Sequence, residues 1–142
     1  MKMRRLISAI IALLLVVNLS VTAFAAEWYL EDGDIIVSAG DSGQTVSQGS
    51  STGVADNAPV IKQRDSSKTT DSTITISTSD NATANVTIQD INISSTGDAI
   101  DVGSSSANIT LEGDNKIFSE SGSALHVSDG HVTITGSGSL EA

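Results

Sequence analysis

The chain has 142 residues, no cysteine, and 17 acidic against seven basic residues, which gives a net charge of −10. This charge disfavours binding to nucleic acids and to anionic membranes, because both carry the same sign. Without cysteine there are no disulfides and no thiolate metal ligands, so stability must come from burial and backbone hydrogen bonds.

The N-terminus has the pattern of a secretory signal peptide. Three cations precede an apolar run over residues 6–17, and Ala23-Phe24-Ala25 supplies a small-x-small cleavage pattern. A retained signal anchor is the alternative, but the apolar run is short for a membrane span. We therefore expect residues 1–25 to be removed, and the protein to be secreted or held at the cell surface with no membrane contact after cleavage.

The chain that remains after this cleavage is strongly acidic. It contains 17 acidic residues and four basic residues, which gives a net charge of −13. The basic residues are Lys62, Arg64, Lys68 and Lys116. An anionic ligand would need a bridging cation on such a surface, and Ca²⁺ is the ion that carboxylates favour.

Residues 26–72 predict an N-terminal cap followed by irregular first rungs of a repeat. The segment opens with Trp28 and Tyr29 and continues into the β-branched run at residues 35–37, after which Ser, Gly, Asp and Thr dominate. Only Thr45-Val46 and Val60-Ile61 are strand candidates in the later part.

Two functions are open for the start of this segment. Trp28 and Tyr29 could form an aromatic platform for a sugar, with Asp32, Asp34 and Asp41 nearby as candidate calcium ligands. The alternative is that the two aromatic residues cap the open end of the repeat.

Residues 73–142 alternate apolar and small polar residues, which predicts half-buried β-strands. Similar strands begin at Asn85, Asn108 and His131, two equal steps of 23, and a second strand follows each of them. A third strand closes the first two units, at residues 97–102 and 122–127, with an offset of 25.

Three short strands in about 23 residues are what one rung of a parallel β-helix needs. We therefore predict an all-β, right-handed parallel β-helix in which Thr87, Thr110 and Thr133 form one outward ladder. The alternation also predicts the side chains that point inward: Val86, Ile88, Ile91, Ile93, Ile100, Val102, Ile109, Leu111, Ile117, Leu125, Val127, Val132, Ile134 and Leu140.

The last predicted rung has two strands and no polar cap before Ala142. An uncapped rung exposes unpaired strand edges. We expect a chain truncated at its C-terminus, with a covering partner or end-to-end self-association through this rung as the alternatives.

Three segments resemble a known family. They are Asn-Val-Thr-Ile at 85–88, Gly-Asp-Ala-Ile-Asp-Val at 97–102 and Val-Thr-Ile-Thr-Gly-Ser-Gly-Ser-Leu at 132–140. Through these three segments, the chain resembles secreted bacterial right-handed parallel β-helix proteins that are described as carbohydrate-binding domains of pectate-lyase-like fold. The resemblance covers about residues 74–140 and implies that the ligand is a polysaccharide or cell-surface glycan.

The candidate ligand-binding side chains lie on one outward row. The 25-residue offset places His126 above Asp101 on the adjacent rung, with Asp98, Asp129 and His131 nearby. A carboxylate beside an imidazole could hold a sugar hydroxyl or contribute to a cation site. The alternative is that all five are solvated outward positions.

We expect no catalytic residues. Parallel β-helix enzymes that cleave pectin resemble one another by clustered carboxylates, a His-Gly pair and an Arg-x-Lys stretch, and the chain lacks these. The predicted function is non-catalytic polysaccharide binding. A structural or adhesin stalk, and the remnant of a polysaccharide lyase or hydrolase, are the alternatives.

Overall fold

The computed structural model describes residues 25–79 and 81–142, so the predicted signal peptide lies outside the described residues except for Ala25. The described chain is built from β-strands, with one 3-10 turn at Leu30–Asp32. In these residues, no helix is long and apolar enough to cross a membrane. The strands are β1 (Glu27–Tyr29), β2 (Ile35–Gly40), β3 (Gly43–Gln48), β4 (Ser51–Ala55), β5 (Val60–Lys62), β6 (Ile74–Thr78), β7 (Ala84–Gln89), β8 (Asn92–Ser95), β9 (Ile100–Gly103), β10 (Ser106–Glu112), β11 (Asp114–Ser119), β12 (Leu125–Val127), β13 (His131–Gly136) and β14 (Ser139–Glu141).

The strands form three sheets along one axis. Sheet 1 has the order β1-β5-β7-β10-β13, and sheet 2 has the order β8-β11-β14. Sheet 3 has the order β12-β9-β6-β2-β3-β4, and all pairs in the three sheets are parallel except β2–β3 and β3–β4. From β7 onward the chain passes through sheets 1, 2 and 3 in turn, so the predicted all-β parallel solenoid with three short strands per rung is confirmed.

The register confirms one predicted step of the repeat and corrects the other. Val86 pairs with Ile109, a step of 23, but Ile109 pairs with Ile134, a step of 25, and Val132 lies beside Ala107 instead. Two one-residue insertions cause the difference. The first lies between β10 and β11, and the second between β11 and β12. Because both insertions lie in the turns between strands, the inward face is preserved, as in the pairing of Ile93 with Ile117.

The same shift changes the predicted outward ladder of threonines. Thr87 and Thr110 are paired as predicted, but Thr110 continues to Thr135, and Thr133 lies beside Asn108. Two residues earlier on the same strands, the side chains of Asn85 and Asn108 form an amide pair. Asn108 Nδ2 donates to Asn85 Oδ1 at 3.0 Å. Such bonds between rungs stabilise the stack along its axis.

The core is a single aliphatic column inside the three sheets. Nine of the fourteen predicted inward residues are buried, and Leu125, Val132 and Leu140 pack against the column from partly buried positions. Val127 and Ile134 were predicted inward but are 37% and 44% exposed. A register irregularity pairs Val127 with Gly103, and within the described residues no rung covers Ile134.

The N-terminal end of the column is closed by an antiparallel meander. β3 pairs with β2 and β4 pairs with β3, so residues 43–55 extend sheet 3 instead of forming a first rung. Val46 is fully buried and joins the core from this meander.

Glutamine side chains supply hydrogen bonds that a regular rung would have given to the backbone. The buried Gln44 accepts a bond from Asn85 N at 2.7 Å and donates to the carbonyls of Asp56 and Asn85 at 3.1 and 2.9 Å. Gln63, also buried, accepts from Asn92 N at 2.6 Å and donates to Lys68 O at 2.8 Å. These amides satisfy the polar backbone at irregular positions, where an unpaired group would be costly.

Candidate functional site

The outward face of sheet 3 brings Asp101 and His126 together. They are direct partners on the paired strands β9 and β12, and His126 Nδ1 lies 2.9 Å from Asp101 Oδ1. This is the stacking that the 25-residue offset predicted.

Asp98 completes a group of three potential ligands on this face. It lies in the turn before β9, and its Oδ2 is 3.4 Å from His126 Nδ1. Its Oδ1 accepts a bond of 2.6 Å from the backbone N–H of Ser123 on the next rung, which fixes the carboxylate. One ligand atom from each of the three side chains lies within 4.8 Å of the other two. We call these three residues the Asp-Asp-His group.

The two carboxylates alter the proton affinity of the imidazole. The hydrogen bond to Asp101 raises the pKa of His126 above its ordinary value of 6.5, and the negative charges of Asp98 and Asp101 raise it further. Desolvation, which is weaker than the hydrogen bond but stronger than either charge, lowers the pKa without cancelling the rise. The protonated imidazole is therefore favoured while both carboxylates are ionised and no cation is bound.

Two other residues predicted for this row lie outside the group. Asp129 and His131 are exposed, Asp129 in the loop after β12 and His131 at the first position of β13. His131 donates its backbone N–H to Ser105 O at 3.0 Å. Among the described residues the metal-ligand grouping contains neither side chain, so the structure brings together three of the five predicted residues.

Trp28 and Tyr29 do not share one platform. As consecutive residues of β1 they point to opposite faces of the strand. Trp28 packs against the core, and its Nε1 donates to Asp56 Oδ2 at 2.9 Å. The Tyr29 ring is covered by the Arg64 guanidinium, 4.2 Å from the ring centroid. The Trp28 contacts are those of a cap at the N-terminal end, the alternative that the sequence left open.

The three candidate calcium ligands of this segment are also separate. Asp32 binds Arg64 through both carboxylate oxygens at 2.9 and 2.7 Å. Asp34 accepts a bond from the backbone of Thr73 at 2.8 Å, and Asp41 is exposed at the turn between β2 and β3. Among the described residues, these aspartates do not form a common metal-ligand group.

A groove on the outward face of sheet 2 was not predicted as a site. It has a volume of about 320 Å³ and crosses β8, β11 and β14. The Phe118 side chain lies in it with 59% of its surface exposed, beside Lys116, Asn92 and Ser94. The sequence did carry a signal, because in Lys116-Ile117-Phe118 the alternation places Phe118 outward when Ile117 points inward. We call this feature the Phe118 groove.

No family model, no curated protein and no solved structure matches the chain.

Proposed function

We propose that the protein is a secreted or cell-surface polysaccharide-binding β-solenoid without catalytic activity, of the pectate-lyase-like carbohydrate-binding type that its motifs resemble. The Phe118 groove is the proposed binding surface. The single observation that supports this choice is the exposed aromatic ring of Phe118 in a concave part of the solenoid surface.

The chemistry of the groove suits a sugar. A pyranose has an apolar C–H face that packs on an aromatic ring, and a rim of hydroxyl groups that need donors and acceptors. Beside Phe118, the groove offers the Asn92 amide, the Ser94 hydroxyl, the Lys116 ammonium and the Glu141 carboxylate. Lys116 and Glu141 lie 3.7 Å apart and are both well exposed, so their mutual attraction is weak and leaves them free to bind hydroxyls.

The direction of the groove favours a polymer over a single sugar. Asn92 pairs with Lys116 and Ser94 with Phe118, and Lys116 pairs with Glu141 on the third strand. Neighbouring strands are about 4.8 Å apart, so these side chains follow the solenoid axis in steps close to a sugar's length. A polysaccharide lying along the axis would contact several rungs at once.

Glycan-array binding of the purified protein tests the proposal. The panel should contain neutral and acidic polysaccharides, with Ca²⁺ present and absent, because an anionic glycan would need a bridging cation on this acidic surface. We expect Phe118→Ala to weaken binding about tenfold, which lies within the loss of about 1–3 kcal/mol seen when an aromatic that stacks on a nucleic-acid base is replaced by alanine.

Ile36→Ala is the matched control. Ile36 is an exposed apolar residue at an outward strand position, 46% exposed, but on sheet 3. Its loss should leave binding unchanged. Equal weakening by both substitutions would argue for non-specific adhesion, and no binding to any glycan under either condition would contradict the proposal.

A structural stalk is the second candidate function. The observation in its favour is the regular parallel pairing of successive rungs along one axis, which gives an extended repetitive body without any ligand. A stalk without ligand predicts no glycan binding at all, so the same array separates the two candidates.

A further inference from the structure

The Asp-Asp-His group joins two kinds of metal ligand from adjacent rungs. Asp98 Oδ2 and Asp101 Oδ1 are 3.4 and 2.9 Å from His126 Nδ1. The side chains are between 32% and 42% exposed, so an ion from solution reaches them without a change in the fold.

The backbone holds all three side chains before any ion arrives. Asp101 and His126 are partners in one parallel ladder, and the Ser123 N–H fixes Asp98 Oδ1 at 2.6 Å. Gly122 lies against Asp98 so closely that a Cβ would be 2.7 Å from Asp98 Oδ1. A site with its ligands already positioned loses less conformational entropy on binding.

We propose that Asp98, Asp101 and His126 form a binding site for one divalent transition-metal ion of the Zn²⁺ class. Zn²⁺ is commonly bound by imidazole nitrogen and carboxylate oxygen in sets of three protein ligands, with water in the fourth position. Two carboxylates balance the charge of the ion. Binding requires a free lone pair on Nδ1, so the proton of the protonated imidazole at that nitrogen is released to solvent.

The ligand set distinguishes this ion from Ca²⁺. Calcium takes six to eight oxygen ligands, whereas imidazole suits zinc, copper and nickel. The group supplies one nitrogen and carboxylates from only two residues. We therefore expect Zn²⁺ to bind more tightly than Ca²⁺ by at least 100-fold.

Calorimetric titration of the purified protein with zinc chloride, and separately with calcium chloride, tests the proposal at neutral pH. The wild-type protein should bind one Zn²⁺ per chain. His126→Gln and Asp101→Asn should each weaken binding at least tenfold. His131→Gln and Asp129→Asn are the matched controls, because these residues follow His126 closely in the sequence and their side chains are exposed and outside the group. Both controls should bind like the wild type.

A second measurement needs no substitution. During a zinc titration of the wild-type protein, the NMR signals of the His126 imidazole should shift or broaden before those of His131. No zinc binding at millimolar concentration would overturn the proposal. Equal response of both histidines would also overturn it, as would wild-type affinity in a folded His126→Gln variant.

The metal site and the Phe118 groove lie on different sheets, so the two proposals can be tested independently. Phe118→Ala should keep full zinc affinity, and His126→Gln should keep glycan affinity in the absence of metal. A loss of zinc binding in Phe118→Ala would contradict the separation of the two sites.

Discussion

At position 126 the chain carries an imidazole where the neighbouring rung carries the carboxylate of Asp101. In a stack of rungs, two carboxylates in this place would repel each other, because like charges directly opposite one another are destabilising. The imidazole avoids that repulsion, and its hydrogen bond to Asp101 becomes charge-assisted when the ring is protonated. Its protonation state therefore affects the strength of contact between these two rungs.

This contact predicts a dependence of stability on pH. The folded-state pKa of His126 is raised above 6.5, so its contribution to stability is fully present below pH 6.5 and is lost as the pH rises through the folded-state pKa. Denaturant unfolding in the presence of a chelator, at several pH values on either side of 6.5, should show this decline in the wild type. His126→Gln should remove it, whereas His131→Gln should retain it. A wild-type decline that persists in His126→Gln would contradict the prediction.

The site residues differ in how far the sequence could predict them. Asp101 and His126 followed from the 25-residue offset, because strand partners are fixed by register alone. Asp98 followed only as a neighbour, since its direction depends on the Ser123 N–H that holds it. The outward position of Phe118 was also predictable. The groove around it was not, because its shape depends on residues as distant as Thr69.

At the scale of whole elements, turns at equivalent positions on adjacent rungs differ in how closely they pack. Gly97 and Gly122 lie at equivalent turn positions, 25 residues apart on adjacent rungs. A Cβ at Gly122 would be 2.6 Å from the backbone nitrogen of Asp98 on the preceding rung. A Cβ at Gly97 would have no atom within 4 Å. The two glycines thus share a position in the repeat but differ in the space available to a side chain.

Alanine substitution should separate the two turns. We expect Gly122→Ala to lower the free energy of unfolding by about 1–3 kcal/mol, because it forces the Asp98 turn and the next rung apart. Gly97→Ala should leave stability unchanged or raise it by about 0.4–1 kcal/mol, through reduced entropy of the unfolded chain. Denaturant unfolding of both variants measures the difference. Equal destabilisation would show that the rungs do not approach as closely at Gly122 as the structure has them.

The strands themselves were more predictable than their connections. Period-two alternation indicated the rungs from β6 onward, since each strand has one face in the column. The offset of 25 for β12 placed two extra residues in the preceding loops, but the sequence did not show that β13 keeps this step, because turns have no such periodicity. The meander of β3 and β4 was missed although its pairing is local, with β2 and β3 joined by a two-residue turn at 41–42. The burial of Gln44 was not predictable in this way, because it depends on a distant rung through the bond from Asn85 N to Gln44.

On the scale of the whole molecule, the two ends of the column differ. The N-terminal end is closed by the meander, whose outer strand β4 is exposed along its length. At the other end, Ile134 and Val127 are exposed, and Val132 and Leu140 are only partly buried. Within the described residues, β13 and β14 each pair on one side only, so their other edges are open.

The two insertions beside β11 bear on how such a protein changes during evolution. One residue added in a turn lengthens the rung and can leave the interior side chains of the next strand in place, as the pairing of the buried Ile93 and Ile117 across the first insertion shows. The same residue added inside a strand would turn the rest of that strand's interior side chains out to water. We therefore expect insertions and deletions to be tolerated in the turns of this fold and to be rare inside its strands.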